Sequence, residues 1–212
     1  MTSHMSTSSK RLIIGISGAS GVAHGVRLLE LLRPTDIETH LVMSKAAEMT
    51  LAYETDYTAA QVRALADVSH ANADVGAGPA SGSFRSLGMI VAPCSIRSMS
   101  EIATGVTSGL LTRAADVMLK ERRRLVLMVR ETPLHAGHLR NLTQLAELGA
   151  IIAPPVPAFY PRPETIHEMV DHTIGRMLDL FDINLGTVER WREDDGKKPP
   201  VLRPMAGSKP SG

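Results

Sequence analysis

Residues 11–26 read Arg-Leu-Ile-Ile-Gly-Ile-Ser-Gly-Ala-Ser-Gly-Val-Ala-His-Gly-Val, and this stretch decides the fold. The run Leu12–Ile16 is apolar without polar alternation, the pattern of a strand buried on both faces. A turn of small residues follows. Val22, Val26, Leu29 and Leu32 then recur at helical spacing. Working outward, the same alternation continues. Thr39–Met43 reads as a second strand, with a helix from Ser44 to about Thr55 and a weak one over Ala59–Ala66. The segment Ala71–Ser83, rich in small residues, reads as a loop. Met89–Ala92, Leu125–Val129 and Ala150–Ile152 read as further strands. Helices are expected near 98–104 and 110–122, over His135–Leu148, and from Glu164 to Phe181. Fully apolar strands separated by helices require right-handed parallel crossovers. The expected class is α/β, with a doubly wound, mostly parallel sheet in a single domain.

Composition narrows the function. At 212 residues, one domain is the better expectation. The net charge of +1 offers no global field for nucleic acid or an anionic surface, and an aromatic content of 3% leaves few stacking platforms for bases. No apolar run reaches the ~18 residues of a membrane span. The polar start, Met1 to Lys10, has no apolar signal stretch, so a cytoplasmic location is expected. Residues 1–10 and 193–212 are expected to be disordered flanks of a domain over 11–192, because they are rich in Ser, Thr, Pro, Gly and Lys. The single cysteine, Cys94, excludes an intramolecular disulfide or a cysteine-cluster metal site. It follows a proline in a buried-strand setting, which suits packing rather than nucleophilic chemistry.

Ligands of such sheets bind beyond the carboxyl ends of the strands. Those ends carry Ser17–Gly21, Ser44-Lys45, Pro93–Ser98, Arg130-Glu131 and Pro154–Tyr160. Small, hydroxyl and cationic residues recur there, which suits an anion held by backbone N–H groups and helix N-termini. Gly15, Gly18 and Gly21 form G-x-x-G-x-x-G, neither a dinucleotide fingerprint nor a phosphate-binding P-loop. That turn serves phosphate binding or close helix packing equally well. Dinucleotide folds place an acid after the second strand, where this chain has Ser44, which suits a phosphate contact or a plain N-cap. Together with Ser95–Ser98 the pattern favours a mononucleotide, FMN, over NAD. Ser98 with Glu101 also reads as a capping box. Arg113 and Lys120 share a helix face. Glu54 and Glu131 read as crevice carboxylates or caps. His135 and His138 lack the further ligands of a zinc site.

These residues also carry a resemblance. GISGASG at 15–21, SKAA at 44–47, ET at 54–55, SGSF at 81–84 and PCS at 93–95 are the first part of it. LLTRAADVMLKERR at 110–123, VRETPLH at 129–135, PPVPAFYPRP at 154–163 and RW at 190–191 complete it. The chain closely resembles the UbiX-like flavin prenyltransferases, long named aromatic acid decarboxylase subunits. The resemblance implies a Rossmann-like flavoprotein that assembles into a homododecamer with active sites shared between subunits. It implies transfer of a dimethylallyl group from dimethylallyl phosphate to N5 and C6 of reduced FMN, and no metal is expected, because Arg and Lys suffice to neutralise a monophosphate. The product, prenylated FMN, is the cofactor of a UbiD-type decarboxylase such as that of ubiquinone biosynthesis, a partner that forms no stable complex.

The resemblance also assigns residues. Gly18, Ala19 and Ser20 match the flavin-binding Gly-rich loop, and Ser44 matches a hydroxyl on the FMN. Ser95, Ile96, Arg97 and Ser98 match the second flavin loop, and Arg130 a flavin-contacting arginine. Tyr160 and Arg176 match residues holding the prenyl phosphate, with Arg113 and Lys120 as basic groups near it. Ser20, Glu54 and Glu131 match polar residues of the chemistry, and Trp191 an aromatic wall of the prenyl pocket. Arg97 stands where members often carry Lys or a small residue, and Asp74–Pro79 lacks the tryptophan some members place there.

Overall fold

The computed structural model describes residues 10–188 and Arg190. Six strands form one sheet: β1 Lys10–Ile16, β2 Ile37–Met43, β3 Val68–Ala71, β4 Gly88–Cys94, β5 Arg124–Val129 and β6 Ile151–Ile152. The order across the sheet is β3-β2-β1-β4-β5-β6, and every pairing is parallel. This is the doubly wound, Rossmann-like order, whose direction reverses between β1 and β4. Seven helices cover it: α1 Val22–Leu32, α2 Lys45–Glu54, α3 Ala59–Arg63, α4 Ile96–Thr104, α5 Leu110–Lys120, α6 Ala136–Glu147 and α7 Ile166–Asp179.

Side-chain alternation divides the core in two. Leu12, Ile14 and Ile16 of β1 point into one layer with α1, α2, α3 and α7. Ile13 points into the other with α4, α5 and α6, as do Met89 and Val91 of β4. Both layers are predominantly apolar, with Thr39, His40 and Thr112 among the few buried polar side chains, which is why β1, β4 and β5 carry no polar alternation. Gly25 brings α1 onto the sheet: a Cβ there would stand 2.3 Å from the Ala92 carbonyl oxygen. No helix among the described residues is long and apolar enough to cross a membrane.

Three expectations need correction. The segment Val68–Ala71 precedes the expected loop and is an edge strand, paired only with β2. Its sequence, Val-Ser-His-Ala, is too polar to read as a buried strand. Lys10 opens β1 rather than closing a disordered flank: it pairs with Ile37, and its Nζ bridges Asp36 at 3.0 Å. Finally, α4 begins at Ile96 with Ser95 as its N-cap, the Ser95 Oγ accepting from the Ser98 N–H at 3.2 Å. Ser98 therefore lies inside the helix, and the Ser98–Glu101 capping box does not form. Glu101 instead accepts from Arg97 Nε at 2.8 Å and Ser108 Oγ at 2.5 Å.

Candidate active site

The strand order reverses where the loops after β1 and β4 part, and Ser17 fixes both. Its N–H and Oγ donate to the Pro93 carbonyl at 3.2 and 2.9 Å, and its Oγ accepts the Ser95 N–H at 2.7 Å. Ser17 is fully buried, and no periodic signal in the sequence marks it for this task. Gly18 lets the same loop meet α2, since a Cβ there would lie 2.4 Å from the Ala46 Cβ. Gly21 holds a left-handed φ of 94° at the start of α1, a conformation that disfavours side chains.

Between these loops lies a polar cavity of about 190 Å³. One wall is Gly18 with Ser44, Lys45 and Ala46; a second is Ser95, Arg97, Ser98 and Glu101; a third is Asn72, Ser108, Gly109, Leu111 and Thr112. The N-termini of α2 and α4 both reach it. Ser44 and Ser95 cap those helices by accepting from the Ala47 and Ser98 N–H groups at 3.1 and 3.2 Å. The N–H groups of Lys45, Ala46, Ile96 and Arg97 take no acceptor among the described residues. Two helix N-termini with Lys45 and Arg97 beside them make a cradle for an anionic group. Hydroxyls, unused N–H donors and the close approach at Gly18 fit the phosphate and ribityl chain of an FMN. They offer no acid for the ribose of a dinucleotide near Ser44.

The N-terminus of α1 is already filled. Glu54 Oε2 accepts from the Gly21 and Val22 N–H groups at 2.8 and 3.1 Å, so the cap reading of Glu54 holds in this chain. Ser20 stands exposed beside this cap and Ala19 is half-buried. The Arg130 N–H donates to the Cys94 carbonyl at 3.1 Å, which sets Arg130 and Glu131 at the crevice beside the β4 loop. Glu131 Oε1 accepts from the Thr132 N–H at 2.9 Å. Cys94 is buried, and burial pushes its thiol up to about 12, so it packs and does not attack at neutral pH. Burial works against ionisation of Glu101, but Ser108 and Arg97 outweigh it and hold the carboxyl below its usual range. His135 is the N-cap of α6 and stacks on His138 at 3.6 Å between centroids.

The expected phosphate-binding residues lie elsewhere in the chain. Arg113 turns to the Ala80 carbonyl at 3.3 Å and Asp116 at 2.7 Å. Lys120 pairs with Glu121 in the last turn of α5, about 12 Å along the helix from the cavity wall at Thr112. Tyr160 reaches α7, its hydroxyl 3.1 Å from His172 Nε2, one turn before Arg176. Arg176 donates to Asp179 at 2.7 Å. Burial opposes the charge on Asp179, but hydrogen bonds from Arg190 and Arg176 prevail and hold its carboxyl low. Just beyond, Phe181 packs at Gly88 and Arg124, the first residues of β4 and β5. Arg113 and Lys120 thus ride on one face of the sheet, Tyr160 and Arg176 on the other, and neither pair lines the cavity. Trp191 falls outside the described residues, as do 1–9 and 193–212.

Known proteins share this architecture. The flavoprotein family pattern matches residues 1–192. The flavin prenyltransferase UbiX of Escherichia coli K12 is 62% identical over 186 residues, 86% of this chain and 98% of that protein. The crystal structure of AnUbiX in complex with FMN and dimethylallyl pyrophosphate superposes with a TM-score of 0.86 at 51% identity, covering 89% of this chain and 99% of that one. A dodecameric FMN-dependent UbiX-like decarboxylase from Escherichia coli O157:H7 gives a TM-score of 0.84 at 49% identity, covering 86% of this chain and 99% of that one. With that identity spread over the whole described fold, the chain belongs to the UbiX flavin prenyltransferases of the flavoprotein family.

Proposed function

We propose that residues 11–192 form a single catalytic domain that joins the dimethylallyl group of dimethylallyl phosphate to reduced FMN at N5 and C6, releasing prenylated FMN for a UbiD-type decarboxylase. The observation that carries this reading is the polar cavity at the β1–β4 switch point, in a chain 62% identical to a flavin prenyltransferase. Reduced FMN, when bound, supplies the nucleophilic ring atoms. Gly18, Ala19, Ser20, Ser44, Ser95, Ile96, Arg97, Ser98 and Arg130 hold it, with the phosphate between the N-termini of α2 and α4.

The cavity of about 190 Å³ is smaller than the ~300–1,000 Å³ of a typical ligand site. Neighbouring copies complete it. Arg113 and Lys120 come from α5 of one copy, Tyr160 and Arg176 from α7 of another, because neither pair lines the cavity of its own chain. A homododecamer, the assembly of the Escherichia coli O157:H7 relative, satisfies this requirement. The cations gather around the prenyl phosphate and stabilise charge as it departs, a task that needs no metal. Glu131 delivers a proton to that phosphate, Ser20 and Glu54 orient groups near the flavin N5, and Trp191 faces the allyl group with its π-system. A reduced flavin persists in a reducing compartment, which favours the cytoplasm as the place where the chain works.

Anaerobic incubation of the protein with reduced FMN and dimethylallyl monophosphate, followed by mass spectrometry of the flavin, tests the reading. A flavin heavier by one C5H8 unit is expected. Unmodified flavin with both the monophosphate and the diphosphate would overturn it.

A further inference from the structure

Asn72 is assigned no role by the resemblance, yet it is the residue through which the edge strand enters the cavity. It follows β3 directly, and both of its oxygens are spent on α5. Its carbonyl oxygen accepts the Leu110 N–H at 2.7 Å, and its Oδ1 accepts the Leu111 N–H at 2.9 Å. It thereby caps a helix whose own N-cap, Gly109, has no side chain to do so. The Leu111 bond identifies which end of the carboxamide is oxygen, and so fixes the position of Nδ2. That Nδ2 lies against Gly109 in the cavity wall, where a Cβ on Gly109 would stand only 2.5 Å from it. Among the described residues Nδ2 has no acceptor. An amide donor is thus oriented, cleared of side chains and left unused at the edge of a ligand cavity.

The charges around the cavity say which part of a flavin meets it. Both cations, Lys45 and Arg97, belong to the first two walls. The Asn72 wall carries none, and Ser108 on that wall binds the carboxylate of Glu101, which repels a phosphate. The apolar Leu111 completes it. A neutral donor beside an apolar side chain matches a ring carbonyl better than an anion.

Resting on the flavin reading above, we propose that Asn72 recognises the flavin ring, its Nδ2–H donating to a ring carbonyl oxygen while Oδ1 keeps α5 capped. The two tasks separate in Asn72→Asp. The carboxylate retains the oxygen that caps α5, in a position where negative charge is favourable, and replaces the donor with an acceptor. Titrations of FMN and of riboflavin, which lacks the phosphate, are compared with thermal unfolding of the same variant. The expected result is an unchanged or higher Tm with affinity lowered at least about tenfold for both ligands. Parent-like riboflavin affinity would overturn the proposal, because a residue that only caps α5 predicts it. A loss confined to FMN would also overturn it, by showing repulsion of the phosphate instead. If the Asp variant does not fold, Asn72→Ala decides: affinity per folded molecule must fall for both ligands, and parent-like values refute the contact. An unaltered protein that binds neither flavin would instead refute the flavin reading itself.

Discussion

At the carboxyl ends of β1, β2 and β4 the chain is knit to itself across long sequence distances, whereas at the amino ends its helices finish in cations held only by neighbouring acids. Ser17 reaches Pro93 and Ser95, Glu54 reaches Gly21 and Val22, and Asn72 reaches Leu110 and Leu111. Lys120, by contrast, pairs with the adjacent Glu121, and Arg176 with Asp179 one turn away. These cations keep 45% and 50% of their side-chain surface exposed. The exposed Lys120–Glu121 pair contributes about 0–1 kcal/mol, and the largely buried Asp179 keeps Arg190 as a second partner, so giving either cation to a ligand costs little. The first end is a binding surface that one chain prepares alone. The second is charge available to another molecule, as a site shared between copies requires.

The largest effect expected at the self-knit end belongs to Glu131→Gln. The amide retains the oxygen that accepts from Thr132, so the loop keeps its shape. It cannot deliver a proton to the departing phosphate, and loss of a general acid slows a reaction by on the order of 10²–10⁴-fold. Single-turnover prenyl transfer should slow by that factor while FMN affinity holds. Parent-like turnover in the variant would remove Glu131 from the chemistry and leave it as a loop residue.

A smaller effect tests the other end. If Arg176 holds the prenyl phosphate as proposed, Arg176→Ala removes one charge-assisted hydrogen bond worth about 1.5–3 kcal/mol, and donor affinity should fall about tenfold or more. FMN affinity should stay, because Arg176 does not line the cavity. The Tm should hardly move, since Asp179 keeps both of its bonds to Arg190, at 2.8 and 3.2 Å. Separate titrations of the two ligands decide the matter. Equal losses for both would erase the distinction between the two ends of the sheet.

The sequence made the fold readable wherever burial was two-sided. Leu12–Ile16, Met89–Ala92 and Leu125–Val129 are apolar because helices cover both faces, so their runs are unmistakable. Val68–Ala71 escaped because an edge strand half open to water tolerates Ser69 and His70. Asn72 was lost with it, since its importance depends on the strand that precedes it. The crevice loops were found by the rule that ligands sit at strand carboxyl ends, which needs only the strand order. Long-range tasks stayed hidden. Nothing local in Ser17 announces Pro93, and although Glu54 reads as a crevice carboxylate or a cap, nothing local says that the helix it caps is α1. The resemblance supplied Lys120 and Arg176, which no reading of one chain could have assigned to its own crevice.

The smallest effect distinguishes two tasks held by one hydroxyl, that of Ser44. It caps α2 through the Ala47 N–H at 3.1 Å and also lines the cavity. Capping and ligand contact respond differently to Ala and Gly. Ser→Ala at an N-cap costs about 1 kcal/mol, whereas Gly costs only a few tenths, because an uncapped backbone is better solvated at glycine. Loss of a neutral ligand hydrogen bond costs about 0.5–1.5 kcal/mol in either case, a few-fold in affinity. Ser44→Ala should therefore lower the Tm by a few degrees and Ser44→Gly by much less, while both lose FMN affinity to the same few-fold extent. If affinity instead follows the Tm, falling for Ala and holding for Gly, then Ser44 serves the flavin only by keeping α2 in place. The unused N–H groups of Lys45 and Ala46 would then carry that side of the cradle alone.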